Sequence, residues 1–490
     1  MAIDPRTPVV VGIGQVDQRP ENLSQAEEPY RLMSAAVAAA LADSGAPAAA
    51  RAVELIAVVQ GAWSYTDPAR LVADRLGITD TGTALITMGG QAPQAALNTL
   101  FTRIQRGELD AAVVTGGETI WSRRKLRARG ERLVTTRQTD AQPDEILGHE
   151  LTMSTPFEEA RGIDQPPVIY PIFESAIRAA NGETIDEHRA RLGELWAGFN
   201  RVAVANEHAW IRRPMTAEEI VTPTTDNRMV GFPYTKAMNS NWYLDQAAAV
   251  FVTSAKEAER LGVGRDRWVF PWTGGSAHDT PAVTNRRDLH SSPAIGSIAE
   301  ALYRHCRIGS DDIDHVDLYS CFPSAVQIGA AEFGFGLDRP LTVTGGLTFA
   351  GGPLNNYVTH SVAAMVEVLR NDPGVGLVTA NGGYVTKHTA ALYRSDPPPD
   401  PWADLDTQTA ADRIEPVPGD EAFTGDARIE GYTVMHHRSE PPVALVAVRT
   451  PSGARSWGRG LNEAVCSELM AAEGVGRPVR LGSKGQIDLI

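Results

Sequence analysis

The chain has 490 residues, of which 43% are hydrophobic and 21% are charged, and its formal net charge is −15. These values are typical of a globular protein with roughly two to four domains. The negative charge argues against nucleic acid as a partner, because phosphate neutralisation requires a basic surface.

The cysteines and the N-terminal residues indicate a cytoplasmic protein. Cys306, Cys321 and Cys466 are widely spaced and form no CxxC pair, which argues against a disulfide framework and a thiolate zinc site. Residues 1–14 contain no basic segment followed by an apolar one, so no signal peptide is expected. No run of about 18 apolar residues occurs, so no membrane span is expected either.

The first predicted elements are a strand and a helix. Val9–Val16 is an apolar run typical of a buried strand, and Tyr30–Asp43 predicts an alanine-rich helix that packs on a sheet. Gly12–Gly14 matches the start of a dinucleotide-binding fingerprint, but the third glycine is absent and the next residues do not open a helix. We therefore interpret this GIG segment as a turn.

A glycine turn that leads into a helix comes next. Thr87–Pro93 (TMGGQAP) precedes a helix whose apolar residues share one face, and Ala111–Gly117 predicts a buried strand that ends in glycines. The start of such a helix offers free N–H groups and the positive end of the helix dipole. This arrangement suits a thioester oxygen, an enolate or a phosphate.

Residues 121–239 interrupt the α/β pattern and predict a lid or loop domain over a site. Trp121–Arg132 is basic in an otherwise acidic chain. One interpretation is a solvated surface segment, and the other is a grip on the phosphates of an anionic cofactor, since arginine pairs bidentately with phosphate. Pro166–Ala180 and Ile185–Trp210 predict helices with apolar stripes.

Thr344–Leu369 repeats the design of the first glycine turn. The turn Gly351–Pro353 is followed by Asn355 and Asn356, and apolar residues then recur at helical spacing. Because asparagine is a favoured N-cap, we expect an asparagine to cap this helix. A second strand that ends in glycines, Val375–Gly383, comes after it.

The two glycine turns belong to two similar halves. Gly351 lies 262 residues after Gly89, and the four pairs of equivalent positions that we compared are 260 to 266 residues apart. Upstream, Ala38–Gln60 and Ala299–Ser320 both show the pattern of helix, turn and apolar strand. A near-constant separation indicates a duplicated α/β unit, with its two glycine-led helices facing a common centre.

The composition changes after the second half. Ser395–Trp402 is rich in proline and predicts an extended linker. The segments after it predict a small antiparallel barrel. They are strands at Ala427–His436, Val443–Thr450, Ser456–Arg459 and Pro478–Leu481, and a helix around Glu463–Ala471.

Five segments within residues 1–395 resemble the thiolase superfamily, and among its members the sterol-carrier-protein type of thiolases. They are TMGGQAPQAALN (87–98), NSNWYLDQAAAVFVTS (239–254), DLYSCFPSAVQ (317–327), TGGLTFAGGPLNNY (344–357) and TANGG (379–383), in the family's order and spacing. The resemblance implies an α/β thiolase fold with duplicated βαβαβαββ halves in a five-layered αβαβα arrangement. It also implies a coenzyme A thioester site, with no metal.

The same resemblance divides the chain into parts. The N-terminal half comprises residues 1–120 and 240–264, the loop domain residues 121–239, and the C-terminal half residues 265–395. Residues 396–424 form the proline-rich linker. Residues 425–490 resemble the oligonucleotide/oligosaccharide-binding (OB) barrel that is attached to, or partnered with, some thiolase-like proteins.

The chain departs from the family at three reactive positions. The nucleophilic cysteine before the first active helix corresponds to Gly90, the histidine of the GHP motif to Gly352, and the acid/base cysteine of the CxG motif to Asn381. Covalent catalysis requires an activated thiolate, so thiolysis or condensation through an acyl-cysteine is not expected. Tyr319 stands at the histidine or asparagine of the family's third motif. Cys321 is either a substitute thiol or simply a buried residue.

Four side chains remain as candidates for catalysis: Tyr319, Tyr357, His360 and His388. We expect them to converge on one cleft, although each has a structural role as its alternative. Proton transfer or retro-aldol cleavage of an acyl-CoA needs an acid/base group and an oxyanion donor, not a nucleophile. The expected binding positions for the thioester are Gly89, Gly90, Gly351, Gly352, Asn381 and Gly382.

Several functions are left open by the sequence. One is a cysteine-independent enzyme of lipid metabolism that acts on acyl-CoA, and another is an acyl-CoA- or lipid-binding protein without catalysis. A third makes the C-terminal barrel a docking module for a partner in a lipid-degrading complex. The oligomeric state is also open, because family members commonly dimerise and the barrel could cover the surface that they use.

Overall fold

The structure is a computed structural model that describes residues 3–490. Its strands form two mixed sheets and a third, antiparallel sheet. The strands are β1 (Pro8–Asp17), β2 (Leu55–Val59), β3 (Gly82–Ile86), β4 (Ala111–Thr119), β5 (Glu145–Leu147), β6 (Met229–Gly231), β7 (Tyr234–Thr235), β8 (Asp245–Ser254), β9 (Phe270–His278), β10 (His315–Asp317), β11 (Val375–Gly382), β12 (Lys387–Arg394), β13 (Ala403–Asp406), β14 (Gly425–Met435), β15 (Val443–Arg449), β16 (Arg455–Gly460), β17 (Pro478–Leu481) and β18 (Ile487–Leu489).

Helices connect most strands of the two mixed sheets, as expected of an α/β chain. They are α1 (Pro29–Asp43), α2 (Ala49–Ala52), α3 (Pro68–Leu76), α4 (Ala92–Gln105), α5 (Ile120–Ala128), α6 (Pro156–Arg161), α7 (Pro166–Asn181), α8 (Ile185–Ala205), α9 (Ala217–Val221), α10 (Ala255–Leu261), α11 (Pro293–Cys306), α12 (Pro323–Phe333), α13 (Gly346–Phe349), α14 (Tyr357–Asn371), α15 (Gln408–Ala411) and α16 (Glu463–Ala471).

The two mixed sheets share one central strand order. It is β2-β4-β8-β1 in the first sheet and β10-β11-β12-β9 in the second. In both sheets the first pair of strands is parallel and the next two pairs are antiparallel. The predicted duplication is therefore confirmed. The first sheet also carries β3 and β5 beyond β2, and the second carries β13 beside β9.

The helices α4 and α14 lie between the two sheets. Strand β2 shows why, because it is apolar on both faces: Leu55, Ala57 and Val59 join the core around α4 and α14, whereas Ile56 and Val58 join the core under α1. The helices α11 and α12 cover the outer face of the second sheet. The layers therefore alternate αβαβα, as predicted.

The Gly12–Gly14 segment lies inside β1, so its interpretation as a turn is wrong. A Cβ at Gly12 would overlap the carbonyl oxygen of Ala40, and one at Gly14 would lie 2.7 Å from the nitrogen of Ala40. The two glycines let α1 pack directly on the strand. This close approach of a helix explains the glycines without any dinucleotide.

The second half has less strand structure around β10 than the first half has around β2. Its strand β9, the counterpart of β1, runs from Phe270 to His278. Strand β10 ends at Asp317, and Tyr319 follows the end of this strand by two residues. Where the first half has β3, the second has a segment without strand structure, whose Leu341 carbonyl accepts the N–H of Leu318 at 2.9 Å.

The insert of residues 121–239 carries the helices α5–α9 and the short strands β5–β7, and its α7 and α8 pack against the second half. The long helix α8 ends at Ala205, five residues before the predicted end, and begins with a capping box between Thr184 and Glu187. Helix α7 packs against both α12 and β14. Strand β5 from the same insert pairs with β3 and covers the edge of the first sheet.

The C-terminal strands form the third sheet, in the order β16-β15-β14-β17-β18. The outer strands β16 and β18 approach each other, since the N–H of Arg459 donates to the carbonyl of Gly485 at 2.7 Å. Strands β6 and β7 of the insert extend this sheet beside β14. The likeness to an OB barrel stays a prediction.

Part of the predicted linker belongs to the second sheet. Strand β13 pairs in parallel with β9, which the proline-rich composition did not indicate. Trp402, just before it, is buried, and its ring centroid lies 5.0 Å from that of Phe101 on α4. The segment is therefore fixed to the core at this point.

Candidate active site

The N-terminal ends of α4 and α14 are connected by two asparagines. The N–H of Gly89 donates to Asn355 Oδ1 at 3.1 Å, and the Asn355 amide donates to the carbonyl of Gln60 at 2.7 Å. The Asn356 amide donates to the carbonyl of Gly116 at 2.7 Å and makes no capping bond to α14. An asparagine therefore stands at the predicted N-cap position of α14, but the predicted capping bond is absent, because these side chains join the two halves of the molecule instead.

The glycine turns retain only part of their predicted hydrogen-bonding capacity. The N–H groups of Gly89, Gly351 and Gly352 are already bonded to protein oxygens. Those of Gly90 and Gln91, just before α4, make no hydrogen bond within residues 3–490. These two adjacent donors stand at the positive end of α4.

Tyr319 occupies the space beside Gly90. A Cβ at Gly90 would overlap the Tyr319 hydroxyl oxygen and the carbonyl oxygen of Asn381, and would lie 2.7 Å from Tyr319 Cζ. The Tyr319 backbone is held by Thr379, whose Oγ1 accepts its N–H at 2.8 Å. Burial, followed by the neighbouring Cys321, raises the pKa of the Tyr319 hydroxyl, which is therefore protonated at neutral pH.

Asn381 lies beside a buried tyrosine and a buried cysteine. Its amide nitrogen donates to the Tyr170 hydroxyl at 2.9 Å and lies 3.8 Å from Cys321 Sγ. The Tyr170 hydroxyl in turn donates to the carbonyl of Gly383 at 3.0 Å. Burial raises the pKa of the Cys321 thiol to about 12, so this sulfur is not a thiolate at neutral pH.

Tyr357 is fully buried in a polar network on the side of the second sheet. Its hydroxyl donates to Asp317 Oδ2 at 3.0 Å and lies 2.7 Å from Thr344 Oγ1. Ser361 also donates to Asp317, at 2.6 Å. The Tyr357 ring contacts that of Tyr319 edge to face at 5.5 Å, so Tyr357 supports Tyr319 from behind.

His360 points to the first sheet instead. Its Nδ1 lies 2.8 Å from Gln15 Oε1, and its Nε2 is buried without a partner within the described residues. Burial, followed by the positive charge that His208 can carry, lowers the pKa of His360 to about 3. The ring is therefore neutral at physiological pH.

His388 lies on the outer side of the second sheet. Its Nε2 is 3.4 Å from both Asp279 Oδ2 and Ser292 Oγ. It lines a small cavity of about 20 Å³ together with Tyr319 and Asn381. Two of the four predicted catalytic side chains therefore share one cavity, while Tyr357 and His360 lie elsewhere.

Lys387 is a site residue that the sequence analysis missed. It is 7% exposed, and its Nζ donates to the carbonyl of Met88 at 3.2 Å. Its Cε lies 3.2 Å from the place where a Cβ at Gly382 would be. Burial lowers the pKa of this amine. The available signal was a lysine four residues after the glycines that end Val375–Gly383.

The basic segment predicted in the insert borders a large open cleft of about 1030 Å³. Arg123, Arg124 and Arg127 of α5 line it, together with Trp63 and Trp242. The Arg124 guanidinium lies 4.9 Å from the Trp242 ring centroid. The cleft combines positive charge with aromatic surface in a chain that is acidic overall.

This cleft adjoins both glycine turns. Ala62 in its wall follows Gln60 by two residues, and the Gln60 carbonyl is bonded to Asn355. Trp242 in the opposite wall follows Asn241, whose carbonyl accepts the N–H of Gly352 at 2.8 Å. The cleft is therefore connected through short backbone segments to the ends of α4 and α14.

Glu118 is a second residue that the sequence analysis missed. It is 1% exposed, its Oε1 accepts the N–H of Ala62 at 2.6 Å, and its Oε2 has no partner within residues 3–490. Burial raises the pKa of this carboxyl to about 7, against the opposing effects of Ala62 and Arg123. The residue holds the backbone that forms one wall of the arginine cleft.

Comparison with known proteins agrees with this architecture. A monomeric SCP2-thiolase-like protein type 1 from Mycobacterium smegmatis superposes with a TM-score of 0.86 and 29% identity, over 100% of both chains. The chain is a thiolase-like protein. No protein-family model matches its sequence.

Two further proteins that match this thiolase-like protein are less similar to it. The benzoylsuccinyl-CoA thiolase subunit BbsB of Thauera aromatica is 27% identical over 192 residues, which are 36% of this chain and 48% of that subunit. The match thus spans about half of the subunit's length. An Ltp2–ChsH2(DUF35) aldolase superposes with a TM-score of 0.61 at 18% identity, over 80% of this chain and 98% of that one, and shows the fold alone.

Within the described residues, the thiolase-like protein has no group of three or more His, Cys, Asp or Glu side chains that could hold a metal ion. None of its described helices is long and apolar enough to cross a membrane.

Proposed function

We propose that this thiolase-like protein binds an acyl-CoA thioester at the N-terminus of α4 and does not form an acyl-cysteine. The observation that carries the proposal is the pair of unpaired N–H groups of Gly90 and Gln91 beside the hydroxyl of Tyr319. Adjacent N–H groups at a helix N-terminus stabilise a carbonyl or enolate oxygen, because they need no reorganisation when negative charge develops.

The protein lacks the reactive groups that are needed to form an acyl-cysteine. Positions 90, 352 and 381 carry glycine, glycine and asparagine, none of which attacks a carbonyl. Burial raises the pKa of both Cys321 and Cys306 to about 12, so neither thiol is ionised at neutral pH. We infer that the thioester is held without a covalent bond to the enzyme.

The arginine cleft supports coenzyme A as the carrier of the acyl group. Its guanidinium groups suit the phosphates, and its tryptophans suit the adenine ring, which stacks on aromatic surfaces. Of the two interpretations of the basic segment, we therefore favour binding of the coenzyme A phosphates. The same proposal includes a cytoplasmic location, a role in lipid metabolism and an OB-like barrel that docks a partner.

A second candidate function is proton transfer during aldol cleavage of an acyl-CoA. The Tyr319 hydroxyl makes no hydrogen bond within residues 3–490 and stays protonated. We infer that it donates its proton to the enolate carbon as the Cα–Cβ bond breaks, and that its oxygen takes up the proton released by the substrate's β-hydroxyl. One structural neighbour is an aldolase with a ChsH2(DUF35) partner. This reaction needs the oxyanion donors at Gly90 and Gln91 but no nucleophile.

Two measurements test the proposal. Titration calorimetry with butyryl-CoA is expected to show binding, whereas butyrate alone is expected to show none. Thiolysis of acetoacetyl-CoA by coenzyme A is expected to be absent. Absence of butyryl-CoA binding would contradict the proposal, as would thiolysis at an ordinary enzymatic rate of about 10 per second.

A further inference from the structure

A second pocket, of about 420 Å³, begins at the same helix terminus as the thioester site. Gln91 and Ala92 at the start of α4 line it, together with Leu147 at the end of β5 and Lys387 at the start of β12. Ile86, Ala95 and Ala96 make the wall apolar on the side of α4. The exposed His149 stands at the mouth, so the pocket is open to solvent.

Lys387 lines this pocket without an ion pair: burial lowers the pKa of its amine, and the more distant charge of Glu150 opposes that effect. No carboxylate of residues 3–490 lies within ion-pair distance of its Nζ, which has the Met88 carbonyl as its one hydrogen-bond acceptor. An ammonium group carries three donors, so two remain for a ligand. An unpaired buried charge is costly, and a ligand that supplies the opposite charge would reduce that cost.

The other polar groups that line the pocket form no ion pair with Lys387 within residues 3–490. The carboxyl of Asp404 accepts from the Asn98 amide at 3.4 Å, and burial raises its pKa. His278 Nδ1 lies 3.1 Å from the carbonyl of Asp279, and Gln408 donates to the carbonyl of His278 at 3.1 Å. Lys387 therefore remains the group in this pocket that attracts an anion.

We propose that this pocket receives the acyl part of the thioester and that Lys387 pairs with a carboxylate at the far end of that acyl group. The inference rests on the proposed function, because Gln91 belongs both to the pocket and to the thioester donors. It narrows the substrate class to CoA thioesters of dicarboxylic acids. An apolar wall along α4 contacts the methylene carbons, and the ammonium contacts the terminal carboxylate.

Calorimetry with matched thioesters tests this inference. Glutaryl-CoA and valeryl-CoA have acyl chains of equal length and differ in the terminal carboxylate. Wild-type protein is expected to bind glutaryl-CoA about tenfold more tightly, as expected of one charge-assisted pair. Lys387→Met is expected to abolish the preference, so that glutaryl-CoA and valeryl-CoA bind the variant with equal affinity.

The control variant is Lys256→Met, which removes an exposed lysine on α10 and should retain the full preference. Lys387→Gln is measured in parallel and should behave as Lys387→Met if the folded state of both is intact by circular dichroism. If the wild type binds both thioesters with equal affinity, the inference is overturned but the proposed function still holds. The same follows if the preference for glutaryl-CoA survives in both Lys387 variants. If neither glutaryl-CoA nor valeryl-CoA binds, both this inference and the proposed function are contradicted.

Discussion

The hydroxyl of Tyr319 fills the space in which the side chain of any larger residue at Gly90 would begin. The two residues are 229 positions apart in sequence and come from different halves of the duplicated fold. In the family that the chain resembles, the position of Gly90 carries the nucleophile. Here a phenol hydroxyl and two unpaired N–H groups occupy the same place, which favours non-covalent handling of a thioester.

Substitution of Gly90 by alanine should destabilise the protein. The new Cβ would overlap a backbone oxygen as well as the Tyr319 hydroxyl, so relief requires backbone movement and costs roughly 1–3 kcal/mol. Gly198→Ala in α8 is the matched control, since its Cβ would meet nothing closer than 3.7 Å. Urea unfolding should show a loss for the first variant and a small gain for the second. Equal stabilities would contradict the assigned geometry.

Tyr319→Phe and Tyr357→Phe should have opposite effects. Loss of the Tyr319 hydroxyl should abolish any acyl-CoA turnover with little change in stability, because that hydroxyl has no partner within residues 3–490. Loss of the Tyr357 hydroxyl removes a donor from buried Asp317 and should cost about 1–3 kcal/mol. Chemical denaturation and a turnover assay together check this. Turnover that survives in Tyr319→Phe would rule out proton donation by Tyr319.

His360 should make the protein less stable in mild acid. Its pKa falls from an unfolded value near 6.5 to about 3 in the folded state, so the unfolded chain binds the extra proton between these values. The free energy of unfolding that neutral His360 contributes at neutral pH is therefore lost as the pH falls below about 6.5. Between pH 7.5 and pH 5, His360→Gln should remove roughly 1–2 kcal/mol of this dependence, measured by urea unfolding at both pH values. Parallel profiles of wild type and variant would contradict the assignment.

The arginine cleft should recognise the phosphates of coenzyme A rather than the acyl group. Arg124→Gln and Arg127→Gln should each weaken binding of butyryl-CoA about three- to thirtyfold, the loss expected for a charge-assisted bond. Binding of butyryl-pantetheine, which lacks the phosphates, should not change.

Arg304→Gln on the outer helix α11 is the control for this cleft, because its exposed side chain pairs with Glu300 on the same helix. It should leave both affinities unchanged. If butyryl-CoA binds all three variants as it binds the wild type, the basic segment is a solvated surface.

The regular elements and the duplication could be predicted from the sequence because their signals are local. Apolar residues at helical spacing after Gly351–Pro353 predicted α14, and the apolar run Ala111–Gly117 predicted β4. Equivalent elements follow one another in the same order in both halves, so the near-constant separation between them in sequence was sufficient to detect the repeat. Composition alone, in contrast, did not indicate β13, since its pairing with β9 is a contact between distant segments.

The site itself depends on contacts that local patterns do not encode. Whether His360 faces Gln15 or Tyr319 depends on how α14 is rotated between the two sheets, and the sequence predicted the helix without its rotation. Lys387 resembles any lysine at a strand end until packing places it against Met88 and Gly382. Side-chain periodicity is a property of neighbouring residues, whereas burial, pairing and the pKa values that follow from them arise when residues hundreds of positions apart are packed together.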